Sequence, residues 1–205
     1  MEQEPLVLET PDPEASVPEA LGAVVEQDRG HLPFALIHGE ALVAAAAWAL
    51  GESGVTAVDT GTTWEALVAS GEPLVLHDPL CPMTPPAFIA GCLIHAVERA
   101  CVVVGVRPVT DTVKVVTEGV VGETLDRSRL VAVASPVVLP PEVVATLDGL
   151  PATDFAELAA ALRARFPVQL VLAPPSARRV ASEEDVRVLE ALTQGGAPAP
   201  GPPGT

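Results

Sequence analysis

The chain has 205 residues, 27 acidic and 11 basic, for a formal net charge of −16. A field of that sign disfavours nucleic acid and anionic membrane surfaces as partners. A nucleotide-handling protein can carry it only if its few basic residues converge on one cleft. Hydrophobic residues make up 49% but aromatics only 3%, so the core has to be built from Val, Leu and Ala, and the length suits one α/β domain. Three scattered cysteines form no disulfide framework and suit a reducing, cytoplasmic setting. The longest apolar run, 41–50, has the length of a core helix and falls short of the ~20 residues of a membrane span. The acidic start MEQEPLVLETPDPE does not read as a signal peptide.

Residues 1–20 are rich in Pro, Glu and Asp and are expected to form a disordered arm, with Leu6–Leu8 as a weak edge-strand signal. The tail GGAPAPGPPGT, 195–205, is of low complexity and is expected to be disordered. A single ordered domain over 21–194 remains. Gly22 to Val25 reads as a first buried strand. His38 and Gly39 make a turn, and strong helix formers from Ala41 to Leu50 predict a helix that Gly51 ends. Val55–Val58 predicts a short strand, and Thr63–Ala69 a helix with Trp64 inward. The apolar run Leu74–Leu76 predicts a central parallel strand. His77 and Asp78 follow it, at the strand end where α/β sheets place their ligands. Thr84 is expected to cap the next helix, with Pro85 at its first position and Phe88 and Cys92 inward. Cys101–Val106 is a buried strand.

Next comes PVTDTVKVVTEGVVGETLDRSRL, 108–130, which has a hairpin signal: valine runs on either side of Glu118-Gly119. Thr110, Asp111, Thr112 and Lys114 precede the turn, and Thr124, Asp126 and Arg127 follow it. Lys114 is the only lysine in the chain. Hydroxyls with one lysine and one arginine form a candidate cradle for a phosphorylated small molecule. The same residues also read as an exposed hairpin with ordinary solvated charges. A strand from Leu130 is expected to stop at Ser135-Pro136. Helices are predicted from Pro141 to Leu147, from Phe155 to Phe166 behind the cap Asp154, and from the Ser182–Asp185 capping box to Thr193, with a last strand at Val168–Leu172. This alternation predicts a three-layer, mostly parallel α/β sheet with a protruding β-arm.

DTVK followed by an arm and TLDR-x-x-L, together with the upstream LVLHDPLCPMTP, resembles the 2-C-methyl-D-erythritol 4-phosphate cytidylyltransferase family. The likeness is nearly continuous from Leu74 to Leu192 and partial before it. The resemblance implies a nucleotide-diphosphosugar-transferase-like fold and CTP-dependent cytidylyl transfer in isoprenoid precursor synthesis. It also implies a homodimer through the 113–125 arm, whose arginine enters the partner's site. In residue terms it implies catalytic roles for Arg29, Lys114 and Arg179, and sugar-phosphate contacts from Thr112, Arg127, Ser135 and Thr153. Asp78 would hold the nucleotide and Mg²⁺, if the protein is catalytic.

The departures from the family pattern concentrate on the nucleotide half. The family's glycine-rich loop is here the short segment Glu26-Gln27-Asp28-Arg29-Gly30, with negative charge where phosphates should lie. Arg29 is a remnant of the loop arginine, Phe34 stands for a lysine, Cys81 for an arginine, Val137 for a glutamine and Phe155 for a glutamate. No Lys or Arg occurs between Arg29 and Arg99. Asp78 reads equally as a cap for the turn before Pro82, and His77 with Cys81 supplies only two ligands toward zinc. The expectation is a cytidylyltransferase-like protein with weak or lost catalysis. The alternatives are a non-catalytic phospho-ligand-binding or dimer-partner protein, and a scaffold without a ligand.

Overall fold

The computed structural model describes Pro5, Val7 and residues 16–58 and 61–194. The expected edge strand at Leu6–Leu8, most of the 1–20 arm and the 195–205 tail lie outside the described residues. Val17 and Ala20, at the end of the expected arm, pack against the core.

Strand β1 (Leu21–Val24) leads through a 3-10 turn into the small hairpin β2 (Leu36–Ile37) and β3 (Glu40–Ala41), then helix α1 (Leu42–Glu52). Next come β4 (Thr56–Ala57), α2 (Trp64–Ser70), β5 (Leu74–His77), α3 (Pro86–Arg99) and β6 (Val102–Pro108). The arm is β7 (Val113–Thr117) and β8 (Val120–Leu125), followed by β9 (Val131–Leu139), α4 (Pro141–Thr146), α5 (Phe155–Arg163), β10 (Val168–Leu172) and α6 (Glu183–Thr193). Six strands form the main sheet in the order β10-β6-β9-β5-β1-β4. β4, β1 and β5 pair in parallel, as do β6 and β10, and β9 runs antiparallel between β5 and β6.

The strands alternate their side chains between two apolar layers, as the period of two requires. Leu74, Leu76, Val102, Val104, Val137 and Leu139 face α4 and α5, packing on Val143, Phe155, Leu158 and Leu162. Val75, Val103 and Val138 face α1 and α3, meeting Leu50, Ile89, Cys92 and Leu93. The sheet thus has helices on both faces. α6 packs separately on β2 and the start of α1 through Ile37, Leu42, Val186 and Leu189. Trp64 turns inward and donates its indole N–H to the Leu147 carbonyl at 2.6 Å. Among the described residues, no helix is long and apolar enough to cross a membrane.

Three of the boundaries that differ from expectation have a clear local cause. α1 runs through Gly51 to Glu52; the Ser53 hydroxyl bonds back to the Leu50 carbonyl at 2.6 Å, and Gly54, with φ +85°, makes the reversal. α3 begins at Pro86 behind Pro85, because the buried Thr84 hydroxyl donates to the Cys81 carbonyl at 2.8 Å instead of capping. β9 continues through Ser135-Pro136, a cis peptide, to Leu139. A register shift between Val104 and Val106 absorbs the irregularity. Gly105 sits in that shift: a Cβ there would lie 2.6 Å from the Ser135 carbonyl oxygen.

The arm matches its signal. β7 and β8 pair antiparallel in a sheet of their own, and the turn places Glu118 at φ +50° and Gly119 at φ +80°, as two-residue hairpin turns require.

Candidate functional site

β5 ends at His77, and the next residue, Asp78, is 1% exposed. A carboxylate this deep needs partners, since an unpaired buried charge is costly. Arg29, on the loop after β1, donates its Nε to Asp78 Oδ1 at 3.0 Å. Arg179, between β10 and α6, donates its Nε to Oδ2 at 3.0 Å. The Leu80 amide also donates to Oδ1 at 3.0 Å, so Asp78 shapes the turn after β5 as well as holding two guanidinium groups.

Arg29 is enclosed on every side. Its side chain is 2% exposed; Nη1 donates to the Gln27 carbonyl at 3.1 Å and Nη2 to the Thr153 carbonyl at 2.8 Å. Its guanidinium carbon lies 5.8 Å from the centre of the Phe155 ring, a cation–π distance. The Thr153 hydroxyl donates to Asp28 Oδ2 at 2.7 Å. Asp28 holds φ +62°. The loop 26–30 is thereby stitched to the segment before α5, with Asp154 capping that helix through the Ala156 and Glu157 amides.

On the other side of the carboxylate, the buried Ser135 hydroxyl accepts from the Asp78 amide at 3.1 Å and is hydrogen-bonded to His77 Nδ1. Burial drives the His77 pKa down to about 4, so the ring is neutral at pH 7. Its Nε2 has no hydrogen-bond partner among the described residues. Cys81 is fully buried beside Asp78, and burial pushes its thiol pKa well up, so it stays protonated and a poor metal ligand.

Of the site residues read from sequence, Arg29, Asp78, Ser135, Thr153 and Arg179 therefore form one connected cluster. Thr112, Lys114 and Arg127 lie in the exposed arm segment. There Lys114 Nζ donates to Thr124 Oγ1 at 3.1 Å and Arg127 Nη1 to the Thr110 carbonyl at 2.5 Å. Two contributors escaped sequence reasoning. His77, which the sequence offers at a ligand-bearing strand end and as half of a zinc pair, braces Ser135. Arg107, at the end of β6, donates to the Ala173 carbonyl at 3.0 Å on the way to Arg179. Its position directly after the buried strand predicted at Cys101–Val106 is the available signal. A separate groove of about 910 Å³, lined by Trp48, Met83, Pro85, Pro86 and Leu192 among others, shares none of the cluster residues.

Solved structures with the same architecture include 2-C-methyl-D-erythritol 4-phosphate cytidylyltransferase of Thermus thermophilus, with a TM-score of 0.62 at 21% identity over 84% of this chain and 98% of that one. The 4-diphosphocytidyl-2C-methyl-D-erythritol synthase of Anaerococcus prevotii gives 0.61 at 15% identity, covering 86% and 98%. At these identities the likeness concerns the fold. In sequence, the 2-C-methyl-D-erythritol 4-phosphate cytidylyltransferase family profile matches residues 51–194. The protein of that name in Rhodococcus jostii is 33% identical over 186 residues, 88% of this chain and 74% of its own. The chain belongs to this family.

A further relative, the bifunctional enzyme IspD/IspF of Nitratidesulfovibrio vulgaris, is 35% identical over 132 residues; the match takes in 62% of this chain and spans about a third of that protein, 33%. Against the magnesium role that family resemblance gives Asp78, the donor set here is a poor fit. Both carboxylate oxygens already carry guanidinium groups. Among the described residues, no three His, Cys, Asp or Glu side chains are grouped so as to hold a metal ion.

Proposed function

We propose that this cytidylyltransferase-family chain binds a phosphorylated small molecule as a cytoplasmic homodimer, with cytidylyl transfer weak or lost. In the transfer that the family name describes, a phosphate oxygen of methylerythritol phosphate attacks the α-phosphorus of CTP and pyrophosphate leaves. Catalysis of that step comes from cations and backbone amides that hold two polyanions in line. The observation that carries the proposal is the position of Arg29. The loop arginine does not project toward a triphosphate; it is enclosed against Asp78, Gln27, Thr153 and Phe155. Exposed Glu26 and Asp28 lie on the same loop and exposed Phe34 lies beyond it, so a triphosphate meets carboxylates and an aromatic ring there.

The sugar-phosphate half supports retention of binding. Arg179 keeps part of its side chain in solvent, and Lys114 and Arg127 stand exposed on the arm, whose pairing with a second copy would bring them to a shared site. One observation favours a second reading, a working cytidylyltransferase: Arg29, Asp78, Ser135, Thr153 and Arg179 still meet in one place.

The test is pyrophosphate release from CTP with methylerythritol phosphate and Mg²⁺, alongside calorimetric titration of CTP–Mg²⁺. The expected results are no CTP binding below millimolar concentration and no turnover at enzymatic rates. Turnover of about 1 per second or faster overturns the proposal in favour of the second reading.

A further inference from the structure

We propose that Asp78 is an internal counter-ion rather than a metal ligand, so that this site takes a phosphate group without a divalent cation. The inference rests on the phospho-ligand reading above and adds to it how the ligand is held. Magnesium is held by oxygen ligands at about 2.0–2.1 Å in near-octahedral geometry, usually through one or two carboxylates. Asp78 is the carboxylate at the end of β5, and each of its oxygens faces a guanidinium nitrogen at 3.0 Å. Oδ1 accepts from the Leu80 amide as well. A dication approaching either oxygen meets a like charge in a poorly solvated place, where such repulsion is weakly screened.

The first of those guanidinium groups cannot step aside cheaply. Arg29 would give up the Asp78 carboxylate, the Gln27 and Thr153 carbonyls and the Phe155 ring together. Its side chain is 2% exposed, so none of these partners is readily replaced by water. Arg29 thus supplies at Asp78 the positive charge that a bound metal would otherwise bring.

The second guanidinium is the one a ligand can reach. The Arg179 side chain is 35% exposed, and its described bond to the cluster uses Nε. Arg29 and Arg179 against Asp78 leave that triad with a net single positive charge in a chain that is −16 overall. Asp28, the other carboxylate joined to the cluster, is held away on the Thr153 hydroxyl. A phosphate monoester suits this arrangement, because its oxygens match the planar donor edge of arginine.

The test uses the full chain, with Mn²⁺ as a paramagnetic probe and inorganic phosphate as the anion. Free Mn²⁺ is followed by electron paramagnetic resonance, and phosphate is titrated calorimetrically with and without EDTA. The wild type is expected to leave millimolar Mn²⁺ free and to bind phosphate equally well in both conditions. Arg179→Ala is expected to lose phosphate affinity at least tenfold, and Arg29→Ala, by removing the positive charge from Oδ1, to take up Mn²⁺. Wild-type uptake of one Mn²⁺ per chain overturns the counter-ion assignment when Asp78→Asn, shown to be folded by circular dichroism, abolishes it. So does a tenfold loss of phosphate affinity in EDTA. Phosphate that binds in neither condition sinks the phospho-ligand reading and the ligand half of this inference; the wild-type Mn²⁺ result then decides the counter-ion half alone.

Discussion

Arg29 donates its Nη2 to the backbone carbonyl of Thr153 at 2.8 Å, tying together positions 124 residues apart. The same guanidinium holds Asp78. The loop after β1, the carboxylate after β5 and the entry to α5 therefore form one mechanical unit, with a single arginine at its centre.

Asp78→Asn leaves two guanidinium groups facing a neutral amide in a buried place. Breaking a buried pair from one side costs about 3–5 kcal/mol, so urea denaturation should show a loss of that order. Arg179→Ala should cost clearly less, because 35% of that side chain remains in solvent. Equal losses for the two variants, or a loss below about 1 kcal/mol for Asp78→Asn, would mean that the cluster contributes little to the fold.

His77 sets an acid limit. Burial lowers its folded pKa to about 4, against an ordinary value of 6.5. Above pH 6.5 both states are neutral and this ring adds no pH dependence. Between pH 6.5 and 4 the unfolded chain binds a proton that the folded chain refuses, so stability falls as pH falls. One proton over that window amounts to roughly 3 kcal/mol. His77→Gln should flatten this part of the stability–pH curve relative to wild type. Parallel curves for the two proteins would remove His77 as the cause.

Gly105→Ala should destabilise the sheet and disturb Ser135. The new Cβ would lie 2.6 Å from the Ser135 carbonyl oxygen and 2.9 Å from its carbon, both backbone atoms that cannot rotate away. Overpacking of this kind costs about 1–3 kcal/mol. Thermal melts of Gly105→Ala measure the loss, and an unchanged melting temperature would show that β9 shifts freely.

The arm should carry self-association. Val116, Val120 and Val121 are exposed by 61–70% on a two-stranded sheet of their own, and an isolated hairpin is marginal in water. Light scattering should give a dimer through 113–125, and deletion of Thr117 to Gly122 should give soluble monomer. A full chain that stays monomeric at every concentration would exclude the interface.

Arg127→Ala should weaken phosphate binding roughly ten- to a hundredfold, the equivalent of about 1.5–3 kcal/mol for one charge-assisted contact. Arg99→Ala, at the exposed end of α3, should change nothing, and added salt should shrink the Arg127 effect. Equal phosphate affinities in all three proteins would make Arg127 a residue of the arm alone.

Where local chemistry decides the structure, the amino-acid order was enough. The valine runs around Glu118-Gly119 became the hairpin, Asp154 and Ser182 became caps, and Val168–Leu172 became the last strand with the expected bounds. Three local signals yielded to longer-range structure. Gly51 did not end its helix because Ser53 and Gly54 made a better end. Thr84 did not cap because the Cys81 carbonyl claimed its hydroxyl. Pro136 did not end a strand because the irregularity opposite it, at Gly105, made room. The site divided in the same way. The positions of Asp78 at a strand end and of Arg179 before a helix were legible. The pairing of Arg29 with Asp78 was not, since no periodicity links residues 49 apart.

The chain contains two tryptophans and no tyrosine, so its ultraviolet emission comes from two known places. Trp48 is 61% exposed on the groove side of α1. Trp64 lies against the opposite layer of the sheet, its indole N–H bound to the Leu147 carbonyl. Emission near 350 nm that a surface quencher removes reports on α1, and the blue component that the quencher spares reports on the far side. Each tryptophan changed singly to phenylalanine would make one spectrum a separate clock for each layer, and show whether the two faces come apart together.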